Sequence, residues 1–179
     1  MTCIIGLEEG GKAYVGADSM QIEGLDNAIS TNKKIFRRNG FIFAHTGQCR
    51  GTQIMKYLID IPLIDDTDEE FIFKHISEPL RMKMKEIGYS EIKDNIEMHR
   101  DRWIVAHKNK VYLINSDWEV ARKANGLAVG GCGGDYATGA MFALKNILPP
   151  KKRIERALKI SAKCSVGVGP PFVIWETEK

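Results

Sequence analysis

The stretches MTCIIGLEEGGKAYVGADS (1–19) and KIFRRNGFIFAHTG (34–47) contain the patterns that decide the fold. In each stretch, two runs rich in apolar and β-branched residues flank a pair of turn residues, Gly10-Gly11 in the first and Asn39-Gly40 in the second. Such a pair between apolar runs is typical of a β-hairpin, and Asn-Gly is among the strongest short-range signals for one. The two stretches therefore predict two successive hairpins near the start of the chain.

The rest of the sequence predicts helices and further strands. After Gly47 the apolar residues recur three and four positions apart, which is the spacing of one helix face, and this pattern lasts to Pro62. A capping-box sequence over 67–70 opens a second predicted helix that ends near Gly88. The other predicted elements are a loop between the hairpins with Gly24 and Asp26-Asn27, a hairpin in 103–115, a strand ending near Val129, a helix from the glycine-rich run 130–139 to about Leu148, a helix over 151–163 and a strand in 171–178. The polar residues 89–100 support no prediction.

The order of these elements indicates an α+β protein. Runs of strands alternate with pairs of helices, which favours antiparallel sheets covered by helices over a parallel sheet built from βαβ units. The 179 residues are enough to bury a hydrophobic core, and no linker, repeat or low-complexity tract interrupts them. We therefore expect a single domain over residues 1–179.

The composition excludes several classes of function. The net charge of +3, from 26 basic and 23 acidic side chains, is too small and dispersed to indicate a nucleic-acid partner. No apolar stretch approaches the ~18 residues of a membrane span, and the start of the chain lacks a signal-peptide pattern, so a cytoplasmic protein is expected. The four cysteines form no CxxC pair and share no metal-ligand spacing, so we expect reduced thiols and no bound metal.

Four residues at predicted strand ends could carry chemistry. Thr2 follows Met1 directly, and removal of Met1 would give Thr2 both a hydroxyl and a free α-amine, which is able to act as a base near pH 7–8. Asp18 lies sixteen residues after Thr2, and Lys34 sixteen residues after Asp18. In a sheet of adjacent hairpins these positions can meet at one end, where the ammonium would lower the pKa of the Thr2 groups. Gly47, at a strand-to-helix turn, could offer its N–H to an oxyanion.

In this order the motifs resemble those of proteasome β subunits and the bacterial protease subunit HslV. The shared pattern is a terminal threonine, the strand end GADS, a strand beginning Lys-Ile, a glycine before the first helix, the segment GCGGDYATGAM and the helix ERALKIS. The resemblance covers nearly the whole chain, and it is strongest to short bacterial and phage proteasome-like proteins that begin MTCI and end near GPPFVI. It implies the N-terminal nucleophile (Ntn) hydrolase fold, a four-layer αββα sandwich of two antiparallel sheets between helices.

The resemblance also implies a role for each site residue. Thr2 would be the nucleophile with its own amine as general base, Lys34 would tune the pKa values, Asp18 would pair with Lys34, and the Gly47 N–H would stabilise the oxyanion. Cys132 stands where the family has a serine near the terminal amine. No metal or organic cofactor is required by this chemistry.

Two positions depart from the family pattern. The thiol of Cys132 is a poorer hydrogen-bond donor and acceptor than a hydroxyl, and no histidine is placed in sequence to make it an independent nucleophile. Cys164 stands where the family has an aspartate, and Ser165 or Gly167 falls near a family serine. The sequence therefore predicts a thinner network around Thr2 than in an established threonine protease.

Three functions are compatible with these residues. The first is a threonine peptidase that cleaves peptides or unfolded proteins within a homo-oligomer, such as a ring, to which an ATP-dependent unfoldase could deliver substrates. The second is an inactive assembly protein that keeps the fold, as proteasome α subunits do. The third is an amidohydrolase that acts on a small amide. The joint presence of Thr2, Asp18 and Lys34 favours catalysis over a scaffold role.

Overall fold

The computed structural model describes residues 1–23, 26–29 and 32–178. Within these ranges the elements are β1 (Ile4–Glu9), β2 (Lys12–Ala17), β3 (Met20–Glu23), β4 (Asp26–Ile29), β5 (Ile35–Arg38), β6 (Phe41–Thr46), α1 (Cys49–Tyr57), α2 (Glu69–Ile72), a π-helical turn (Phe73–Ser77), α3 (Glu78–Glu86), β7 (Glu91–Lys93), β8 (Ile96–Met98), β9 (Arg102–His107), β10 (Lys110–Ile114), β11 (Val120–Ala121), β12 (Leu127–Gly130), α4 (Gly134–Ala143), α5 (Pro150–Cys164) and β13 (Val173–Glu176). None of the described helices is both long and apolar enough to cross a membrane.

The predicted hairpins are confirmed, and their turn residues explain them. Gly10 and Gly11 have φ values of 61° and 72°, and Asn39 and Gly40 have φ values of 50° and 82°. Two successive residues in the left-handed region give a turn whose twist matches that of the flanking antiparallel strands. The third predicted hairpin is β9–β10, with its turn at Lys108-Asn109.

The strands form two main antiparallel sheets. A four-stranded sheet has the order β12-β1-β2-β13, and a five-stranded sheet has the order β11-β10-β9-β6-β5. The pairs β3–β4 and β7–β8 are separate two-stranded ribbons. The prediction of antiparallel sheets covered by helices is therefore confirmed.

Three buried hydrophobic clusters fix how sheets and helices pack. Successive strand residues point to opposite faces, so Ile4 of β1 belongs to the cluster between the two sheets, whereas Ile5 belongs to the cluster with α4 and α5. The third cluster joins the five-stranded sheet to α1, α2 and α3. Each large aliphatic side chain buried in these clusters stabilises the fold by roughly 1.5–3 kcal/mol.

The structure corrects the prediction in the segment between the first two hairpins. We predicted a loop there, but Met20–Glu23 pairs with Asp26–Ile29 as an antiparallel ribbon, while Gly24 lies outside the described residues. Asp and Asn are depleted in strands, so the sequence 26–29 gave no strand signal of its own.

Two helix ends also differ from the prediction. The second helical segment is capped by Asp68, whose side chain accepts a hydrogen bond from the Phe71 N–H at 2.7 Å, so Thr67 is not the capping residue. Helix α4 ends at Ala143 and not near Leu148, because the next backbone bonds include i→i−3 contacts such as Lys145 N–H to Phe142 O at 3.3 Å. The unassigned residues 89–100 contain the β7–β8 ribbon.

Candidate active site

The register of the first hairpin brings Thr2 and Asp18 to the same edge of the four-stranded sheet. Ile4 pairs with Ala17, so the residues just before β1 lie beside those just after β2. The Cys3 N–H donates to Asp18 Oδ1 at 2.9 Å, and the Asp18 N–H donates to the Cys3 carbonyl at 3.2 Å. This pairing extends the ladder by one step and fixes the Asp18 side chain next to Thr2.

Asp18 and Lys34 form an ion pair in which the carboxylate is buried and the ammonium is half-buried. The Asp18 side chain is 0% exposed, and Lys34 Nζ lies 2.9 Å and 3.0 Å from its two oxygens. The Asp18 carboxylate also accepts the N–H groups of Cys3, Met20 and Gly169 at 2.9–3.2 Å. A buried carboxylate with this many donors stays in one orientation, and it therefore holds the Lys34 ammonium in one place.

The Lys34 ammonium and the Thr2 hydroxyl meet at the Met1 carbonyl oxygen. Lys34 Nζ donates to this oxygen at 3.1 Å, and the Thr2 hydroxyl donates to it as well. Thr2 is only 2% exposed. With Met1 attached, the Thr2 nitrogen is an amide, so the base expected from the sequence forms only after Met1 is removed.

Cys132 contacts the backbone of Thr2. The Thr2 N–H donates to Cys132 Sγ at 3.3 Å, and the thiol lies 3.5 Å from the Thr2 carbonyl oxygen. The turn that carries Cys132 needs glycine before it, because Gly131 has a φ of +90° and a Cβ there would lie 2.1 Å from the Thr2 oxygen. The Ser165 hydroxyl donates to Cys132 Sγ at 3.4 Å, whereas Cys164 is exposed. Ser165 is therefore the residue of the α5 C-terminus that reaches the Thr2 network.

Gly47 borders the same cleft and needs to be glycine. Its φ is +118°, and a Cβ there would lie 1.8 Å from Asp101 Oδ1. The cleft has a volume of about 500 Å³ and is lined by Thr2, Lys34 and Gly47 together with Met1. Three of the five residues singled out in the sequence therefore line this cleft. The other two contact them: Asp18 pairs with Lys34, and Cys132 contacts the backbone of Thr2.

The remaining wall of the cleft is neutral or basic. Arg50 and Arg100 line it together with His45, and among the described residues that line the cleft there is no Asp or Glu. Two of the positive charges at the cleft are already paired, Lys34 with Asp18 at 2.9 Å and Arg100 with Glu91 at 3.0 Å.

Cys3, next to the proposed nucleophile, is an inert thiol. Burial raises the pKa of Cys3 to about 12, against the smaller opposing effect of its contact with the Ser161 hydroxyl. Since only the thiolate is strongly nucleophilic, Cys3 does not compete with Thr2 at neutral pH.

Asp101 was not anticipated from the sequence. It is completely buried, and its Oδ1 accepts the Gln48 N–H at 3.2 Å beneath the Gly47 turn. The only local signal is an acidic residue directly before the apolar strand β9.

Among the described residues, no group of three or more His, Cys, Asp or Glu side chains is arranged to hold a metal ion.

Comparison with known proteins identifies the fold. No protein-family profile and no curated protein sequence matches the chain. In three dimensions it resembles Thiobacillus denitrificans BPH, with a TM-score of 0.85 and 20% identity over 98% of this chain and 97% of that chain. BPH in complex with epoxomicin gives a TM-score of 0.83 with 20% identity over 98% of each chain. HslV from Trypanosoma brucei gives a TM-score of 0.71 with 18% identity over 99% of each chain.

A helical assembly of the Anbu complex from Pseudomonas aeruginosa is also similar, with a TM-score of 0.69 and 13% identity over 97% of this chain and 80% of that chain. At these identities the likeness shows the fold alone. The chain has the proteasome-type fold of BPH, HslV and Anbu, which confirms the resemblance predicted from the sequence.

Proposed function

We propose that the chain is a threonine-type peptidase whose nucleophile is Thr2 after removal of Met1. One observation carries this proposal: the Thr2 hydroxyl and the Lys34 ammonium converge on one carbonyl oxygen, and Asp18 holds the ammonium in place. This shared contact places the Lys34 charge beside the Thr2 hydroxyl, where it can lower the pKa of the Thr2 groups once Met1 is removed.

In the first half of the reaction Thr2 Oγ1 attacks the carbonyl carbon of the substrate peptide bond. The free Thr2 amine accepts the hydroxyl proton and later passes it to the leaving amine of the substrate. The positive charge of Lys34 disfavours a second positive charge on the Thr2 amine and so keeps that amine available as a base. Gly47, at the cleft wall, would donate its N–H to the negatively charged oxygen of the tetrahedral intermediate.

In the second half of the reaction the ester on Thr2 is hydrolysed. The Thr2 amine takes a proton from water, the resulting hydroxide adds to the ester carbonyl, and the acid product leaves as the proton returns to Oγ1. In this proposal Cys132 positions the Thr2 nitrogen through its Sγ, 3.3 Å away. Ser165 in turn holds Cys132, because its hydroxyl donates to the same Sγ at 3.4 Å. All steps are carried by side chains, the terminal amine and the Gly47 N–H, with no cofactor.

The proposal extends to the whole molecule. We place the chain in the cytoplasm as one domain over residues 1–179, with the three buried clusters separating the four layers of an αββα sandwich. We propose a homo-oligomer, which is supported by the similarity to an Anbu complex described as a helical assembly. The substrates would be peptides or unfolded proteins, delivered by an ATP-dependent unfoldase where the substrate is folded.

Intact-mass spectrometry with epoxomicin tests the proposed function. The probe is chosen because the similar BPH structure contains it. The expected result is a wild-type protein that lacks Met1 and gains one probe mass, and a Thr2→Ala variant that loses Met1 but gains none. Thr138→Ala, the same substitution on α4, is the matched control and should be labelled like the wild type. Native mass spectrometry of the same samples measures the oligomeric state.

Two outcomes would contradict the proposal. Retention of Met1 throughout would leave no free amine on Thr2 and would favour the inactive assembly protein. A processed protein without a probe adduct on Thr2 would do the same. If the adduct forms, a peptide library separates the peptidase from the amidohydrolase, because only the peptidase cleaves peptides at internal bonds.

A further inference from the structure

Asp101 is a buried carboxylate that lies beside two histidines, His45 and His99. Its side chain is 0% exposed, and Oδ2 lies 3.2 Å from His45 Nε2 and 4.0 Å from His99 Nδ1. Its other oxygen, Oδ1, accepts the Gln48 N–H at 3.2 Å and lies 3.5 Å from the Tyr89 hydroxyl. Burying a carboxylate is costly unless its surroundings are built to receive it.

Two glycines make room for this carboxylate. A Cβ on Gly47 would lie 1.8 Å from Asp101 Oδ1, and a Cβ on Gly51 would lie 2.6 Å from Asp101 Oδ2 and 2.7 Å from His45 Nε2. Gly51 lies in the first turn of α1, where glycine is a poor helix former. The strand end, the turn and the start of α1 are therefore all shaped around Asp101.

The hydrogen bonds of the two histidines direct one nitrogen of each towards Asp101. His99 Nε2 donates to the Asn115 carbonyl at 2.9 Å, because a carbonyl can only accept. His45 Nδ1 lies 2.9 Å from the Thr52 hydroxyl, which leaves Nε2 facing Asp101. Within the described part of the chain, none of His45 Nε2, His99 Nδ1 and Asp101 Oδ2 makes a hydrogen bond, although the two nitrogens lie 3.2 Å and 4.0 Å from the oxygen. The three atoms form one polar site behind the cleft wall.

We propose that Asp101 is a positioning residue, which fixes the Gly47–Gln48 turn in its catalytic conformation through the Gln48 N–H and is itself oriented by His45. The proposal rests on the proposed function, because it assigns Asp101 to the same active site. Asp101 lines a different hollow from Thr2 and acts on the turn from the side away from the substrate cleft.

The physical reason is preorganisation. Gly47 has few steric restraints of its own, so the peptide planes on either side of it can rotate unless a partner holds them. The Asp101 carboxylate accepts the Gln48 N–H and so holds the Gly47–Gln48 peptide plane. The φ of Gly47, +118°, helps to set the angle between this plane and the Thr46–Gly47 plane, which carries the Gly47 N–H. An oxyanion donor displaced by about 1 Å loses roughly 100-fold in rate.

The experiment compares Asp101→Ala and Asp101→Asn with a matched control, using labelling of Thr2 by epoxomicin over a range of probe concentrations. Alanine removes the acceptor for the Gln48 N–H. Asparagine keeps a carbonyl oxygen for that N–H and an amide group that can donate to His45. The control is His107→Asn, a buried polar residue at the far end of β9 that stacks on Phe41 with a ring separation of 4.5 Å.

We expect Asp101→Ala to lower the maximal labelling rate by about 100-fold, while the half-saturating probe concentration changes by less than about threefold. Asp101→Asn should recover at least about a tenth of the wild-type rate. His107→Asn should label at the wild-type rate per folded molecule. Hydrogen exchange of the peptide that contains residues 46–52 should become faster in Asp101→Ala alone.

The two readouts separate this inference from the proposed function. A labelling loss in Asp101→Ala no larger than that in His107→Asn would overturn the inference even if Thr2 is the nucleophile. Absence of labelling in the wild type would overturn the proposed function, and hydrogen exchange then decides alone whether Asp101 holds the turn. Unchanged exchange in Asp101→Ala would overturn the inference in either case.

Discussion

Cys132 holds Thr2 through a thiol where a hydroxyl would make stronger hydrogen bonds. Its sulfur lies 3.3 Å from the Thr2 nitrogen, 3.5 Å from the Thr2 carbonyl oxygen and 3.4 Å from the Ser165 hydroxyl. These are ordinary distances for sulfur, and sulfur is a weak donor and a weak acceptor. The position of Cys132 therefore suits a proton relay to the Thr2 nitrogen. Because Cys132 is solvent-exposed, its thiol is also open to alkylation.

Replacing Cys132 tests whether the site needs a polar atom there. We expect Cys132→Ser to label with epoxomicin within about fivefold of the wild type, because serine supplies the same donor and acceptor. Cys132→Ala should be slower by at least about tenfold, since it removes a group that can relay protons. Iodoacetamide should block labelling of the wild type but not of Cys132→Ser, whereas Cys164→Ser should remain sensitive. Equal labelling of the serine and alanine variants would contradict the relay.

The sequence contained enough information to place some site residues but not others. Thr2 and Asp18 flank the two strands of one recognisable hairpin, so their meeting followed from its register. Lys34 precedes β5, which lies in the other sheet and not beside the first hairpin as expected, so its meeting with Asp18 depends on how the two sheets pack. Asp101 meets Gln48 across 53 residues of sequence, and no local pattern links the two. The distance between Thr2 and Cys132 is set by long-range packing in the same way, and only the family resemblance pointed to it.

Helix α1 begins in a place where helix propensity and packing oppose each other. Gly51 sits in its first turn, and alanine would normally stabilise a helix by about 1 kcal/mol relative to glycine. At Gly51, however, the new methyl group would meet the buried Asp101 carboxylate at 2.6 Å and the His45 ring at 2.7 Å. Neither group can move into solvent, so overpacking of about 1–3 kcal/mol outweighs the gain in propensity.

A pair of glycine-to-alanine substitutions tests this competition. Gly51→Ala should lower the free energy of unfolding by about 1–2 kcal/mol. Gly139→Ala in α4 should raise it by about 0.5–1 kcal/mol, because a Cβ there meets nothing within 4 Å. Urea unfolding followed by circular dichroism measures both. If Gly51→Ala were as stable as Gly139→Ala, the Asp101 site would be loosely packed.

Elements with strong local chemistry were predicted, and those held by tertiary packing were not. The Asn39-Gly40 hairpin and α5, with its apolar face and its proline at the first helical position, match the structure within one or two residues. The β3–β4 ribbon consists of two four-residue strands with little alternation, and α4 stops five residues before Leu148 although no proline or glycine intervenes. Their boundaries depend on neighbouring chain segments.

Across the whole molecule, buried histidines couple stability to pH. Burial lowers the pKa of His99, and burial together with the nearby Lys108 lowers the pKa of His107. The unperturbed histidine pKa is about 6.5, so above that value the rings are neutral in both folded and unfolded states and contribute nothing. Below it the unfolded chain takes up protons that the folded protein does not bind, so stability falls as the pH falls.

Urea unfolding between pH 7.5 and 5.5 measures this coupling. Each histidine contributes a slope of at most about 1.4 kcal/mol per pH unit, so the two together should approach 2–3 kcal/mol per unit at the acidic end. The carboxylates with lowered pKa values, such as Asp66 and Glu91, have ordinary values of 3.8 and 4.5 and titrate below this window. His107→Asn should remove about half of the slope. A slope in His107→Asn equal to that of the wild type would show that His107 takes up a proton equally in both states, and it would contradict the lowered pKa of His107 in the folded protein.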